Sequence, residues 1–127
     1  MNCRRATTDD YAEICRWWEG HGWKCVPMQL LPSGWVVEKD GKLMCAGFLY
    51  IAGNAPVGYL EYVVSNPDNK ALESYRAIDF LMGEIVTFAK YSMVKAMFAR
   101  VQQAGLEKMY NKHGFKSGDV IKDMIWL

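Results

Sequence analysis

Apolar residues recur every three or four positions in two stretches, and this spacing predicts two amphipathic helices. Thr7 and Asp10 precede the first stretch at the spacing of a capping box, which satisfies free amides at a helix start. The first stripe consists of Tyr11, Ile14, Cys15 and Trp18. The second stripe is the most regular in the chain and consists of Tyr75, Ile78, Leu81, Met82, Ile85, Val86 and Ala89.

Three apolar runs between the two predicted helices indicate an antiparallel meander. Residues 35–38 and 43–51 flank Asp40-Gly41, a pair that tolerates the positive φ angles of a tight hairpin turn. A second turn at residues 53–56 leads into the third run, residues 57–64. Residues 2–6 precede the first helix as a short extended segment. Residues 20–34 contain two prolines, which predicts a loop or a broken second helix.

The remainder of the chain predicts a short strand over residues 95–101 and a short helix over 105–113, closed by Gly114. A final pair of strands is expected over 115–127, around a turn at 117–119. Residues 124–127 are all apolar, so this last strand is expected inside the sheet rather than at its edge. The length of 127 residues suits a single domain, residues 1–127.

The amino-acid composition argues against some classes of function, namely those with a nucleic-acid or membrane partner. The chain is 51% hydrophobic and 23% charged with a formal net charge of +1, which is typical of a globular protein. Arg4 and Arg5 are the only adjacent basic residues, so no nucleic-acid partner is expected. The sequence has no apolar stretch suited to a signal peptide or a membrane span, and we expect a cytoplasmic protein without a membrane partner.

Four cysteines fall in the first half of the chain, without a C-x-x-C pair. Neither a metal nor a disulfide framework is therefore expected, and the thiols are interpreted as reduced. His21 lies near Cys25, which leaves a Cys/His nucleophile as an alternative.

A motif near the C-terminus carries a resemblance to a known family. Residues 98–115 read FARVQQAGLEKMYNKHGF. They resemble the strand and short helix, with a Tyr-x-x-x-Gly-Phe ending, of the GNAT superfamily of N-acetyltransferases. Residues 4–10, RRATTDD, are similar to its first strand and helix cap. The resemblance covers the whole chain and implies an α/β (α+β) fold: a mixed, mainly antiparallel twisted sheet of six or seven strands flanked by about four helices.

The resemblance implies acetyl-CoA as co-substrate and no metal, with acetyl-CoA lying where the strand at 57–64 diverges from the strand at 95–101. Its pantetheine arm would pair with backbone groups of Tyr62, Val63 and Val64, since a strand that has lost its partner has unpaired amides and carbonyls. Gln103 stands where the family often has a cofactor-contacting asparagine.

The pyrophosphate loop departs from the family pattern. The family uses a glycine-containing loop and a helix start to hold the anion, whereas residues 66–79 contain no glycine. Lys70 and Arg76 could neutralise phosphate; alternatively they are solvated helix charges. Asp79 stands where the family prefers a small residue.

Tyr110 matches the tyrosine that often protonates the departing CoA thiolate in this family; alternatively it closes the short helix against the core. Glu61 matches a carboxylate that takes a proton from the acceptor ammonium, directly or through water; alternatively it is a cross-strand charge partner. In a regular strand Glu61 and Tyr62 point to opposite faces, so both cannot face the cleft.

The resemblance implies that Trp18 and Trp23 lie where relatives build the acceptor pocket. Trp17 and Trp18 are about 100° apart on the predicted helix, so one of the two is expected to reach the flank. The alternatives are an ordinary core with one surface aromatic residue, or a surface patch for a protein partner.

The function implied is acetyl transfer from acetyl-CoA to a primary amine, by direct attack in a ternary complex. The acceptor is an amine-bearing small molecule or a protein. The alternative is a catalytically inactive GNAT-fold module that binds or inhibits a protein partner. Members of the superfamily often dimerise, which makes a homodimer an option. Compact members also occur in bacteriophage genomes, and for a phage protein the location would be the host cytoplasm.

Overall fold

Five strands form one sheet whose strand order follows the chain. The computed structural model describes residues 1–101 and 104–126. Strands β1 to β4 pair antiparallel with their neighbours, and β4 pairs parallel with β5. The mixed, mainly antiparallel sheet is confirmed, although the described residues form five strands rather than six or seven. The strands are β1 (Asn2–Arg5), β2 (Ser33–Lys39), β3 (Lys42–Ile51), β4 (Val57–Ser65) and β5 (Ala96–Ala99).

The turn between β2 and β3 is the hairpin predicted from its Asp-Gly pair. Asp40 has φ of 52° and Gly41 has φ of 77°. Two consecutive residues in the left-handed region twist the chain in the sense that the flanking strands require. This hairpin therefore fixes the register of β2 against β3.

Within residues 1–101 and 104–126, three helices accompany the sheet, rather than about four. They are α1 (Tyr11–Gly20), α2 (Ala71–Tyr91) and α3 (Ala104–Lys112), and single 3-10 turns cover Thr8–Asp10 and Met28–Leu30. The segment between α1 and β2 is thus a loop with one 3-10 turn. Within the described ranges, none of these helices combines the length and the apolar character that crossing a bilayer requires.

Charged side chains link the start of α1 to the sheet. The Thr7 amide donates to Asp10 Oδ2 at 2.7 Å, as the capping-box spacing predicts. Arg4 of β1 donates to both oxygens of Asp10 at 2.9 Å and to Glu38 of β2 at 2.6 Å. These hydrogen bonds hold the pKa of Asp10 below its ordinary value, the Arg4 hydrogen bond being the largest cause. One arginine thereby joins two strands and a helix.

Each face of the sheet has its own core. Helix α2 covers one face, where the largest buried side chains include Leu49, Leu60, Leu81, Met82 and Ile85. Helix α1 covers the other face, where Ile14, Trp17, Trp18, Val36, Phe48 and Val64 are buried. Helix α3 packs against the α2 side through Met109 and Tyr110. The two faces are called the α2 face and the α1 face below.

Both neighbouring tryptophans of α1 are buried, contrary to the expectation that one would reach the flank. Trp17 is 0% exposed and Trp18 is 2% exposed. Trp17 Nε1 donates to Glu13 at 2.9 Å, while Trp18 Nε1 lies 3.4 Å from the Tyr62 carbonyl. Both indole groups can be covered because the loop after α1 packs beside the helix, so the buried arc is wider than the helix alone provides.

The expected pair of strands at the C-terminus does not form in the described residues up to 126. Residues 115–126 have no regular structure. Val120 and Ile121 are adjacent, and so are Met124, Ile125 and Trp126. Apolar and polar residues therefore do not alternate as they do in a strand with one buried face. A run that is apolar on both faces needs cover on both faces. At the edge of the sheet β5 is covered on its α2 face only, where Met97 and Ala99 pack, while Phe98 on the other face is 58% exposed. The exposed apolar side chains are Val120, Ile121, Met124, Ile125 and Trp126.

The cysteines also differ from the expectation that all are reduced. Cys15 of α1 and Cys25 of the following loop form a disulfide, with Cα atoms 5.1 Å apart. Cys3 and Cys45 are free thiols. Because residues 21–25 turn back along α1, two cysteines ten positions apart meet, which their spacing in sequence alone does not reveal.

Candidate active site

The central feature of the site is the point at which β4 and β5 stop pairing. The parallel register runs from Val57 with Ala96 to Leu60 with Ala99. Strand β4 continues to Ser65, whereas β5 ends at Ala99. Among the described residues, the last five positions of β4 therefore have no strand partner on the β5 side. The carbonyls of Tyr62 and Ser65 lie 3.4 Å and 2.9 Å from side-chain nitrogens, and the other backbone groups on that side of β4 could pair with a peptide-like ligand.

A β-bulge lies in the same part of β4. Ala46 pairs with Val64 and Phe48 with Glu61, so two residues of β4 oppose Gly47 alone. Tyr62 has φ of 60°, in the left-handed region that non-glycine residues rarely adopt. Backbone strain of this kind costs roughly 1 to 3 kcal/mol and concentrates at functional sites.

The bulge places Glu61 and Tyr62 on the same face. Glu61 is paired with Phe48, which belongs to the α1-face core. Tyr62 packs against the same core and lies edge-on to Trp18 and Phe48. Val63 belongs to the α2-face core. The prediction that Glu61 and Tyr62 point to opposite faces is therefore wrong, because it assumed a regular strand.

Glu61 is held by an arginine across the diverging strands. Arg100 Nε lies 3.0 Å from both carboxylate oxygens, and its NH2 group lies 2.9 Å from Oε2. This contact raises the pKa of the guanidinium above its ordinary value. Arg100 also pairs with Asp123 of the C-terminal segment. Glu61 is thus a cross-strand charge partner, and its side chain is 11% exposed.

Tyr110 reaches the site from α3. It is buried and packs edge-on against Phe115, with ring centroids 5.2 Å apart. Burial raises the pKa of its phenol, and the negative charge of Glu61 raises it further. Tyr110 therefore stays protonated at neutral pH and lies within the electrostatic reach of Glu61. Tyr110 therefore both packs in the core and lies near Glu61.

A pair of tyrosines connects the bulge to the loop after α1. Tyr50 Oη donates to the Leu30 carbonyl at 2.6 Å and lies 3.1 Å from Tyr62 Oη. Burial raises the pKa of Tyr50, and the hydrogen bond with Tyr62 adds to the effect. This chain of contacts makes the 3-10 turn at Met28–Leu30 a wall of the site.

The start of α2 carries the two basic residues that the family resemblance assigns to the pyrophosphate. Lys70 and Arg76 are exposed. The Lys70 amide donates to Glu73 Oε1 at 2.9 Å, so a carboxylate already satisfies one amide of the helix start. The Asn69 side chain donates to the Met44 carbonyl at 2.9 Å, while its Oδ1 is buried without a partner.

Asp79, the residue at the family's small-residue position, joins α2 to α3. Its carboxylate accepts hydrogen bonds from Lys112 Nζ at 2.9 Å and lies 2.7 Å from His113 Nε2. The hydrogen bond from Lys112 is the largest cause of its lowered pKa, and His113 contributes as well. Asp79 thereby anchors the helix that carries Tyr110.

The two acceptor-side tryptophans take different positions. Trp18 is buried beneath the bulge. Trp23 is half-buried at the edge of the same core and stacks on His21, with centroids 5.0 Å apart. His21 Nε2 lies 2.9 Å from the Ser65 carbonyl at the end of β4. In the disulfide-bonded state Cys25 has no free thiol for His21 to activate.

A cavity of about 210 Å³ lies on the α1 face, beside the loop after α1. The start of the helical region lines one side, and the loop lines the other. Phe48 forms part of the lining. The lining residues from the two sides include Thr7, Thr8, Tyr11, Met28, Leu31 and Pro32.

The sequence did not single out Arg100, Tyr50 or Asp123. Arg100 follows the apolar run of β5 directly, and this position beside the divergence was the available signal. Tyr50 and Asp123 had no local signal, since their partners are distant in sequence. Gln103 lies outside the described residues.

Comparisons with known proteins find similarity in fold but not in sequence. No family model matches the sequence, and no curated protein matches it. Solved structures do match in fold. A ribosomal-protein-alanine N-acetyltransferase from Brucella melitensis biovar Abortus 2308 is 12% identical, with a TM-score of 0.72 and 100% of both chains covered.

Two further structures are similar. An aminoglycoside N-acetyltransferase in complex with CoA is 12% identical with a TM-score of 0.68, covering 98% of this chain and 93% of that one. A protein assigned to the GNAT family of acetyltransferases, from Novosphingobium aromaticivorans DSM 12444, is 12% identical with a TM-score of 0.71, covering 91% of this chain and 52% of that one. The chain therefore has the fold of the GNAT acetyltransferases.

Proposed function

We propose that this protein is an N-acetyltransferase that transfers the acetyl group of acetyl-CoA to a primary amine by direct attack in a ternary complex. The divergence of β4 and β5 carries the proposal, because it leaves one side of β4 without a strand partner. The CoA complex of a structurally similar aminoglycoside acetyltransferase supports the same co-substrate.

The residues along β4 have distinct roles in this proposal. Backbone groups of Tyr62, Val63 and Val64 would pair with the pantetheine amides. The bulge turns this stretch while keeping Val63 and Val64 anchored in the two cores. The strand can therefore offer its backbone without losing its position.

Tyr110 is proposed as the general acid. When the acceptor nitrogen attacks the thioester carbonyl and the carbon–sulfur bond breaks, the CoA thiolate takes up the phenol proton. The raised pKa of Tyr110 keeps that proton in place until the thiolate forms. The α3 helix fixes the phenol from the α2 side of the sheet.

Glu61 is proposed to accept the proton of the acceptor ammonium, directly or through an ordered water. Arg100 Nε lies 3.0 Å from both of its carboxylate oxygens, which favours the water relay over direct contact with the ammonium. Glu61→Gln should lower turnover more than tenfold while leaving acetyl-CoA binding intact. Glu19→Gln, an exposed position at the end of α1, is the matched control.

Lys70 and Arg76 are proposed to neutralise the CoA phosphates. They compensate for the missing glycine loop by charge rather than by close backbone approach. Trp23 and the Met28–Leu30 turn are proposed to line the acceptor side, with Trp18 supporting them from below. We further propose a cytoplasmic location.

Thermal unfolding with and without millimolar acetyl-CoA tests the proposal. A ligand at about 100 times its dissociation constant adds roughly 2.7 kcal/mol to the free energy of unfolding, which raises Tm by several degrees. Lys70→Gln/Arg76→Gln should reduce the rise in Tm, and Lys116→Gln should not. If wild-type Tm does not change, the co-substrate assignment fails.

A second candidate function is a non-catalytic binding module. The carboxylate of Glu73 at the start of α2 favours it, because a negative charge there opposes a pyrophosphate. This candidate predicts no change of Tm with acetyl-CoA. It also predicts a protein partner that is recovered without being acetylated.

A further inference from the structure

We infer that Cys15 and Cys25 form a reversible redox site whose disulfide fixes the loop after α1 against the cavity on the α1 face. The inference is independent of the proposed acetyl transfer, because it concerns the state of the loop. The loop is defined here as residues 21–32.

The two cysteines are positioned for a disulfide without backbone rearrangement. Their Cα atoms are 5.1 Å apart, within the range of natural disulfides. Both residues are half-buried on the α1 face rather than sealed in the core. A small thiol or disulfide reagent can therefore reach the pair.

The other two cysteines are poor competitors for oxidation. Cys45 is 0% exposed, and burial raises the pKa of its thiol far above the ordinary value. Burial raises the pKa of Cys3 to about 11, with a further contribution from Glu84. Since the thiolate is the reactive form, oxidation is directed to Cys15 and Cys25.

The first part of the loop is held by His21 near the Ser65 carbonyl and by Trp23 on the α1-face core, whereas the part around the 3-10 turn depends on two tyrosine hydroxyls. Tyr11 Oη donates to the Val26 carbonyl at 2.7 Å, and Tyr50 Oη donates to the Leu30 carbonyl at 2.6 Å. Met28 and Leu30 are 44% and 45% exposed, so the 3-10 turn has little core of its own. The disulfide is the covalent restraint among these contacts, and it lies next to the Tyr11 hydroxyl.

Opening the disulfide should loosen one wall of the cavity. Met28 and Leu31 from the loop face Thr8 and Tyr11 across it. The same loop reaches Tyr62 through Tyr50. A change in the redox state of Cys25 can thus affect both the cavity and the bulge of β4 through the contacts of this loop.

The reaction is a thiol–disulfide exchange with a low-molecular-weight disulfide such as oxidised glutathione. One cysteine thiolate attacks it to give a mixed disulfide and one glutathione thiolate. The second cysteine, as thiolate, then attacks the mixed disulfide and releases the second glutathione. The protein dithiol loses two electrons and two protons, and the glutathione disulfide is reduced to two thiols.

Peptide mapping after equilibration in glutathione buffers tests the site. Trypsin cuts after Arg16 and Lys24, which separates the two cysteines into different peptides. Oxidising buffer should give a linked peptide pair, and excess reduced glutathione should abolish it. Cys3→Ser should leave the pair intact, whereas Cys25→Ser should remove it.

Hydrogen exchange of wild-type protein in both buffers tests the loop. Amides of residues 25–31 should exchange at least tenfold faster in the reduced form, and exchange in β2 and β3 should not change. Because wild-type protein is used in both states, the comparison does not depend on the folding of a variant. Absence of the linked peptide overturns the redox site, and equal exchange rates overturn its control of the loop.

Discussion

At the scale of single residues, the site depends on groups that serve packing and chemistry together. Tyr110 is 4% exposed and closes α3 against the core, and the same burial keeps its phenol protonated. Glu61 bridges two diverging strands and places a negative charge within electrostatic reach of that phenol. A structural role therefore does not argue against a catalytic one at either position.

Tyr110→Phe should separate the two roles of this residue. The ring and its contact with Phe115 remain, so we expect little change in Tm and an unchanged Tm increase with acetyl-CoA. Turnover should fall by about 10²-fold, the lower end of the range for general acid catalysis. Steady-state kinetics and thermal unfolding measure the two effects.

Tyr91→Phe, at a position that is 87% exposed, is the control for loss of a phenol. Both its turnover and its Tm should match wild type. An unchanged turnover in Tyr110→Phe would remove Tyr110 from the mechanism and leave it as a packing residue.

At the scale of elements, the attachment of α3 to α2 decides where Tyr110 lies. Helix α3 is nine residues long, too short to be stable alone. Asp79 supplies charged contacts to its C-terminal end through Lys112 and His113. Because Asp79 is one-third exposed, solvent weakens these contacts without abolishing them.

Asp79→Asn should lower Tm by about 3 °C at neutral pH and lower turnover through misplacement of Tyr110. The pKa of Asp79 is lower in the folded state, so its contribution is present above the unfolded pKa. That contribution is lost as pH falls through the acid range. The Tm difference between wild type and variant should therefore shrink below about pH 4.

Asp119→Asn, in the exposed C-terminal segment, controls for the loss of one carboxylate. Its Tm should follow wild type at every pH. A Tm difference for Asp79→Asn that stays constant from pH 3 to pH 7 would contradict an ionic origin.

The elements that sequence predicts well are those specified by neighbouring residues. The Asp-Gly hairpin, the capping box at Thr7 and the long stripe of α2 all depend on local chemistry. The bulge at Tyr62 and the disulfide depend on contacts between distant segments, and alternation alone cannot reveal them. Glu61 and Tyr110 were identified through the family resemblance. Arg100 was not, because its role depends on a contact with Glu61, 39 positions away in the sequence.

At the scale of the whole molecule, the C-terminal segment exposes a group of large apolar side chains. Five large apolar side chains between Val120 and Trp126 are 70% to 103% exposed. Phe98, on the edge strand, is 58% exposed and stacks on Tyr59. An apolar surface of this kind is typical of an interaction site.

We predict that this surface drives self-association. Wild type should sediment as a dimer or larger species at micromolar concentration. Ile121→Ser/Ile125→Ser/Trp126→Ser should sediment as a monomer, because it removes most of the exposed apolar area. Analytical ultracentrifugation across a concentration series measures the difference.

Tyr91→Ser/Met93→Ser removes exposed apolar side chains at the end of α2 instead. This control should associate like wild type. If wild type is monomeric over the whole concentration series, the C-terminal segment is not a dimer surface.

The bulge in β4 has a consequence for how freely the site can change. Glu61 lies on the α1 face, Val63 on the α2 face and Val64 on the α1 face, so removing Tyr62 would leave an uninterrupted alternation. Tyr62 is the extra residue of the bulge, and without it the residues on either side would still face the same two cores. A deletion of Tyr62 would therefore straighten β4 and remove the left-handed turn without reversing the faces on which its neighbours lie.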